Sequence, residues 1–152
     1  MNPIIAAFDE ILGVLHQNID EILAVVPAEA LNWQPTHYAN SLYALATHVA
    51  GSQAFWIGQV VGKRPQERDR AAEFQATGAD ARTLRARLRE VQALTHAVLD
   101  ELSLDDLTQE REARGKRHSV LACILHAIEH TSLHQGHMEL TWQLWQREMK
   151  EI

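Results

Sequence analysis

Apolar residues recur at helical spacing in four long stretches of this chain, and nowhere do apolar and polar residues alternate over a sustained length. Only seven glycines and four prolines interrupt its 152 residues. We therefore expect an all-α fold in which each of four helices buries one apolar stripe. The sequence holds no internal repeat and no domain boundary, so we interpret residues 1–152 as a single domain.

Prolines, caps and polar segments predict where the four helices begin and end. The predicted helices are residues 3–26, 41–62, 80–102 and 119–145. Asn40 or Ser41 can cap the second helix and Ser119 the fourth, and Gly62 can end the second in a left-handed conformation. Two long polar segments, 62–78 and 103–118, separate the last three helices. Connections of this length favour a four-helix bundle with crossover connections.

Charge and cysteine content exclude several classes of protein. The net charge is −6 at pH 7 with histidines neutral, so we expect no binding to nucleic acid. No apolar stretch approaches the roughly 20 residues that a membrane span needs, and we expect no membrane partner. The lone Cys123 cannot form an intrachain disulfide, and acidic residues occur early where a secretory signal would be basic. These features predict a reducing, cytoplasmic setting.

The last predicted helix carries four histidines on one face. His126, His130, His134 and His137 are spaced by four, four and three residues, which places them within roughly 40° of His130 around the helix. Apolar residues flank this stripe, which indicates that it faces the core. His48 lies in the middle of the second helix, on a face with small neighbours that leave room for an ion, a water or a substrate.

Two histidines four residues apart on a helix can chelate one metal ion, and a third from a neighbouring helix completes a three-nitrogen set with open positions. We therefore predict a metal site formed by His48, His130 and His134. Neutral imidazoles suit zinc, nickel, iron or copper, and the residues alone do not choose among these ions. The competing interpretation is that all three are hydrogen-bonded core residues. For His126 and His137 a ligand, a partner of a ligand and an ordinary helix residue all remain open.

Several known site types are absent from the sequence. No glutamate is followed three residues later by histidine, as di-iron bundles require. Thr131 stands where the HExxH motif of zinc proteases has its catalytic glutamate, so the fourth helix lacks a built-in base. Cys123 is interpreted as a core residue, with a redox or ligand role as the lesser alternative. Arg82, Arg85 and Arg89 are expected on a solvated face of the third helix.

The sequence resembles the DinB/YfiT-like family of bundle proteins in three segments: LNWQP (31–35), NSLYALATHVAGSQAFWIG (40–58) and HTSLHQG (130–136). The resemblance covers nearly the whole chain. It implies a four-helix bundle of unusual helix order, often dimeric, with a divalent ion held by His48, His130 and His134. The resemblance makes zinc and nickel the first candidates for this ion, followed by iron and manganese. The chain departs from the family at His137, where many members have glutamine. Family members are grouped as metal-dependent hydrolases and thiol S-transferases, which implies a low-molecular-weight thiol as a further cofactor.

Two hypotheses for function follow. In the first, the metal activates a small thiol or water for transfer to an electrophilic small molecule, in a pocket shaped by Phe55, Trp56 and Gln59. Thiol transfer is preferred because the usual carboxylate base is missing; the catalytic residues themselves are unknown. In the second, the protein is a non-catalytic metal-binding or interaction protein whose ion is structural. A second apolar surface on the fourth helix predicts a homodimer; its residues are Leu121, Leu125 and Ile128.

Overall fold

Four long helical segments build the fold in the computed structural model, which describes residues 1–150. These segments are α1 (Pro3–Val25), α3 (Leu42–Gln53) with the π-helix Ala54–Val61 that continues it, α5 (Arg82–Asp100) and α6 (Val120–Lys150). The shorter elements are α2 (Ala28–Leu31), α4 (Arg70–Glu73), a 3₁₀-helix (Asp105–Thr108) and the strands β1 (Glu110–Ala113) and β2 (Lys116–Ser119). The predicted all-α fold is confirmed, and a small hairpin is added to it.

The helices are arranged so that successive long helices are not always neighbours. Both α1 and α3 pack mainly against α5 and α6, which places α1 diagonally opposite α3 and α5 diagonally opposite α6. The chain therefore crosses the bundle between α1 and α3 and again between α5 and α6. The second of these crossings uses the predicted polar segment 103–118. The segment 62–78 instead joins two helices that are in contact.

The predicted serine caps are present. The Ser41 hydroxyl accepts a hydrogen bond from the Ala44 N–H at 3.2 Å, and the Ser119 hydroxyl accepts one from the Ala122 N–H at 3.1 Å. Each cap satisfies a backbone donor that has no partner within its own helix. The residues at which α3 and α6 begin therefore follow from local sequence.

The prediction for Gly62 is wrong. Its φ is −80°, and the left-handed residue is the next one, Lys63, with φ 54°. Gly62 is required for space instead, because a Cβ at this position would overlap a methyl group of Val98 on α5. The π-helix Ala54–Val61 is also unpredicted, and its last turn is closed by a bond of 2.9 Å from the Gly62 N–H to the Ile57 carbonyl.

The segment 103–118, expected to be an irregular polar connection, contains the antiparallel hairpin of β1 and β2. Glu110 lies opposite Ser119 and Ala113 opposite Lys116, which leaves Arg114 and Gly115 as a two-residue turn. Both turn residues have positive φ, 53° and 73°, the arrangement that matches the twist of a tight hairpin. Strands of four residues are too short to be predicted from an alternating pattern of apolar and polar residues.

A buried polar network joins the four long helices. Gln53 on α3 accepts a hydrogen bond from His16 on α1 at 2.8 Å and one from Thr131 on α6 at 3.3 Å, and it donates one to Thr95 on α5 at 2.8 Å. All four side chains are buried. The network fixes the helices relative to one another.

Within residues 1–150, no helix combines the length and the apolar character that crossing a bilayer requires.

Candidate metal centre

The three histidines predicted as metal ligands lie together between α3 and α6. One ring nitrogen from each of His48, His130 and His134 lies within 4.8 Å of the other two. The Nε2 atoms of His48 and His130 are 3.0 Å apart. His130 and His134 follow one another by one turn of α6, and His48 comes from α3, which packs against α6. The positions of all three therefore follow from regular helices.

A carboxylate that the sequence analysis did not identify supports this cluster. Glu73, at the end of α4, accepts a hydrogen bond of 2.8 Å from Nδ1 of His48. Arg68 binds the same carboxylate with two hydrogen bonds, from Nε at 2.7 Å and from Nη2 at 2.9 Å. Because Nδ1 of His48 donates to Glu73, Nε2 keeps its lone pair and faces His130. Carboxylate partners of this kind orient metal-binding histidines.

Glu73 occupies the space that was expected to be free beside His48. A Cβ at Gly51, one turn after His48, would overlap Oε1 of Glu73. The small residue at this position thus makes room for the carboxylate that orients His48. Burial opposes ionisation of Glu73, but hydrogen bonds from Arg68 and His48 hold its pKa below the ordinary value. Glu73 is therefore an anion at neutral pH.

The electrostatics of the cluster keep its imidazoles neutral. Burial, followed by the proximity of the other histidines, lowers the pKa of His130 to about 3 and that of His134 to about 4. Burial also lowers the pKa of His48, despite the opposing effect of its hydrogen bond to Glu73. Neutral imidazole is the form that binds a metal. At pH 7 all three residues are therefore in the form that can bind a metal.

One nitrogen of the cluster lacks a partner. Nδ1 of His134 is buried, and among the described residues nothing forms a hydrogen bond with it. A bound ion is one of the standard reasons for a buried polar atom without a hydrogen-bond partner. Three neutral nitrogens with a carboxylate behind one of them fit a divalent transition-metal ion.

The remaining histidines of the stripe lie outside this group. The His126 ring is 5.7 Å from that of His130 and packs at 4.7 Å on Trp56, while His137 is exposed with its ring 5.5 Å from that of His134. Neither shares in the group of converging nitrogens.

Cys123 is buried, and burial raises the pKa of its thiol, as expected for a core cysteine.

Two of the three residues predicted to shape a pocket line a cavity near the cluster. Phe55 and Gln59, both on the π-helix, line a cavity of about 310 Å³ together with Gln66 and three arginines, Arg68, Arg70 and Arg114. Trp56 is buried behind them and contacts His126. These arginines were not predicted as site residues, because they lie in the two polar segments, where no periodicity indicates a common face.

Comparisons with known proteins agree with this architecture. The family described as the DinB superfamily matches residues 12–138. A conserved protein from Enterococcus faecalis has a crystal structure with a TM-score of 0.76 at 18% identity, covering 95% of this chain and 98% of that one. A DinB-like protein from Bacillus cereus gives 0.70 at 18% identity, covering 85% and 84%. A DinB-like protein from Bacillus subtilis gives 0.67 at 22% identity, covering 98% and 92%. No curated protein matches the chain.

Proposed function

Since this chain belongs to the DinB superfamily, we propose that its three-histidine cluster holds a divalent metal ion used in chemistry on a small molecule. The ligands are His48, His130 and His134, with zinc or nickel as the first candidates for the ion. The observation that carries the proposal is the convergence of three neutral imidazoles, one of which is oriented by an ionised carboxylate. Family membership supports metal binding and leaves the reaction to be determined.

The residues around the cluster have separate tasks in this proposal. A divalent ion bound with open positions would lower the pKa of a water or thiol that reaches it. Glu73 keeps the proton on Nδ1 of His48, and Arg68 keeps Glu73 in place and ionised. His130 and His134 are only partly buried, so the cluster is accessible to a small molecule. Phe55 and Gln59 line the cavity beside it.

The surroundings favour thiol transfer over hydrolysis. Glu73 is fully engaged by His48 and Arg68 and is therefore not free to take a proton from water. Glu129 is highly exposed, and exposed Glu139 is hydrogen-bonded to Gln135. A thiol needs mainly deprotonation and orientation before its sulfur bonds to an electrophilic carbon and a leaving group departs. We therefore propose a thiol S-transferase, with a metal-dependent hydrolase as the second reaction of this type.

Metal analysis of protein purified without a histidine tag tests the first step. We expect about one zinc or nickel per chain, lost on the substitution His134→Ala because two nitrogens from different helices remain. His137→Ala is the matched control, since it removes an exposed histidine of the same helix and should retain the metal. A full equivalent of metal in the His134→Ala protein would refute the ligand assignment.

A thiol assay separates catalysis from a structural role of the metal. Cysteine and 1-chloro-2,4-dinitrobenzene serve as the test thiol and electrophile, and we expect turnover that requires the bound metal. Metal that is bound stoichiometrically but supports no reaction with a panel of thiols and electrophiles would favour a structural role of the metal. In that case the ion ties α3 to α6 and contributes to folding.

The apolar surface available for the proposed homodimer is smaller than the sequence predicts. Leu121 and Ile128 pack partly against the core of their own chain, so Leu125, at 48% exposure, is the outward residue of the predicted surface. Neighbouring α1 adds exposed Ile4 and Ile11. We propose that these residues contribute to a contact between two copies. Sedimentation of a monomer at micromolar concentration would contradict it.

A further inference from the structure

Three arginines line one cavity, and one of them, Arg68, binds the carboxylate that orients His48. Arg68 and Arg70 come from the start of the α4 region, and Arg114 comes from the turn of the β1–β2 hairpin. They line the cavity of about 310 Å³ that also includes Phe55 and Gln59. Segments far apart in sequence therefore bring three positive charges to one place, in a chain whose net charge is −6.

Aromatic rings hold these arginines close to the histidines. The guanidinium carbons of Arg68 and Arg114 lie 5.5 and 5.4 Å from the centre of the Phe55 ring. That of Arg70 lies 5.2 Å from the Phe74 ring, which packs at 4.2 Å on the ring of His48. Stacking on aromatic faces leaves the N–H groups at the edge of a guanidinium available to a ligand.

The charges of Arg70 and Arg114 are not neutralised within the described part of the chain. Glu73 binds Arg68, and neither of the other two arginines forms an ion pair with a carboxylate there. Asp69 is close in sequence, but its carboxylate caps α4. Several arginines elsewhere do have an acidic partner: Asp80 for Arg82, Asp20 for Arg85, Glu90 for Arg87 and Glu110 for Arg117. Arg111, which lies outside this cavity, forms hydrogen bonds to Gln109 and to the Glu110 carbonyl and no ion pair within residues 1–150. The cavity therefore has an excess of positive charge.

The backbone of Arg114 supplies a second, independent observation. Its φ of 53° places it in the left-handed region at the first position of a two-residue turn. Asparagine, aspartate and glycine are the residues that suit this position, and an arginine adopts it at a cost in free energy. Turn formation does not require an arginine here. The side chain, which reaches Phe55 and Trp56, gives a reason for its presence.

We propose that this cavity binds an anionic group, a carboxylate or a phosphate, of the small molecule that reacts at the histidine cluster. Arg70 and Arg114 donate charge-assisted hydrogen bonds to the anion, and Arg68 contributes the N–H groups that Glu73 leaves unused. The link between this anion and a reaction at the histidine cluster rests on the proposed function. Anion binding itself requires only the arginines.

Calorimetric titration of the zinc-loaded full chain tests the proposal with two probes, inorganic phosphate and succinate. We expect one of them to bind at millimolar or lower concentration, while succinamide, the neutral analogue of succinate, does not. The probe that binds more tightly identifies the anion as phosphate or carboxylate. Arg70→Gln and Arg114→Gln should each weaken binding by about tenfold or more, as expected for loss of a hydrogen bond to a charged group.

Arg117→Gln is the matched control, because it removes an arginine of the same hairpin that pairs with Glu110 and does not line the cavity, and it should change the affinity by less than about twofold. Arg70 lies on α4, so Arg70→Gln still tests anion binding if the substitution of Arg114 disturbs β1 and β2. Equal affinity in the wild type and both cavity variants, or no binding of either anion, would overturn the proposal. Binding of zinc and of nickel is measured in parallel: failure of the chain to bind either ion refutes the proposed function, and the same titration on the metal-free chain still decides the anion site.

Discussion

Acidification of the metal-free protein should destabilise it through the histidine cluster well before its carboxylates are protonated. In the folded chain the pKa of His130 is about 3 and that of His134 about 4, against 6.5 for an ordinary histidine. A group whose folded pKa is lowered stabilises the fold above its unfolded pKa and loses that contribution as the pH falls. The relevant window therefore runs downward from pH 6.5.

The magnitude follows from proton linkage. At pH 5 each imidazole is almost fully protonated in the unfolded chain but largely neutral in the folded one, a difference of about 2 kcal/mol per residue. Both rings are partly exposed, so water reduces this figure, and we expect roughly 2 to 4 kcal/mol for the pair between pH 8 and pH 5. Burial lowers the pKa of His16 as well and adds a loss of the same sign.

Urea denaturation at pH 8 and pH 5, with a chelator present, measures this loss. The double substitution His130→Asn and His134→Asn should reduce the change in unfolding free energy between the two pH values by roughly 2 to 4 kcal/mol. Taking the difference between pH values cancels the packing cost of the substitutions. His96→Asn is a control that should increase the loss of unfolding free energy between pH 8 and pH 5. The hydrogen bond to Asp9 raises the pKa of His96 and therefore stabilises the fold at low pH, and the substitution removes this contribution. A pH dependence identical in the double variant and the wild type would refute the reasoning.

The remaining predictions concern the carboxylate behind His48. Glu73→Gln should weaken metal binding by about 10- to 100-fold, because the amide is a poorer acceptor for Nδ1 of His48, and competition with a chromophoric chelator measures the change. Gly51→Ala should weaken it in the same direction, because the added Cβ displaces Glu73. Gly136→Ala on α6 is the matched control, since open space surrounds that position and alanine should leave the affinity unchanged while raising the melting temperature. Unchanged metal affinity in both Glu73→Gln and Gly51→Ala would show that the carboxylate has no part in the site.

The features that could be predicted from the sequence are those set by regular helices. Apolar spacing located the long helices, and the side chains of Ser41 and Ser119 fixed two of their beginnings. His130 and His134 share a face because they are four residues apart, and an inward-facing histidine on another helix was the natural third member. In these cases a local rule was sufficient.

The parts of the site that escaped prediction lie in segments without periodicity. Glu73 and Arg68 belong to a polar stretch that reads as solvated, and only the packing of α4 against α3 brings Glu73 to His48. Gly51 indicates a close approach, but nothing in the sequence identifies the group that approaches. Arg114 depends on a hairpin whose strands are too short for a pattern. Contacts between irregular segments and helices are decided by tertiary structure, which single-sequence rules do not describe.

The two proposed sites share one residue, and this has a chemical consequence. Arg68 binds the carboxylate that orients His48, and it also lines the cavity where an anion is proposed to bind. Its charge, with that of Arg70, also contributes to the lowered pKa of His48, after the larger effect of burial. The same positive field that disfavours a proton on the imidazole favours a negative charge on a substrate beside it. Keeping the histidines neutral and attracting an anion are therefore two effects of one arrangement of charge.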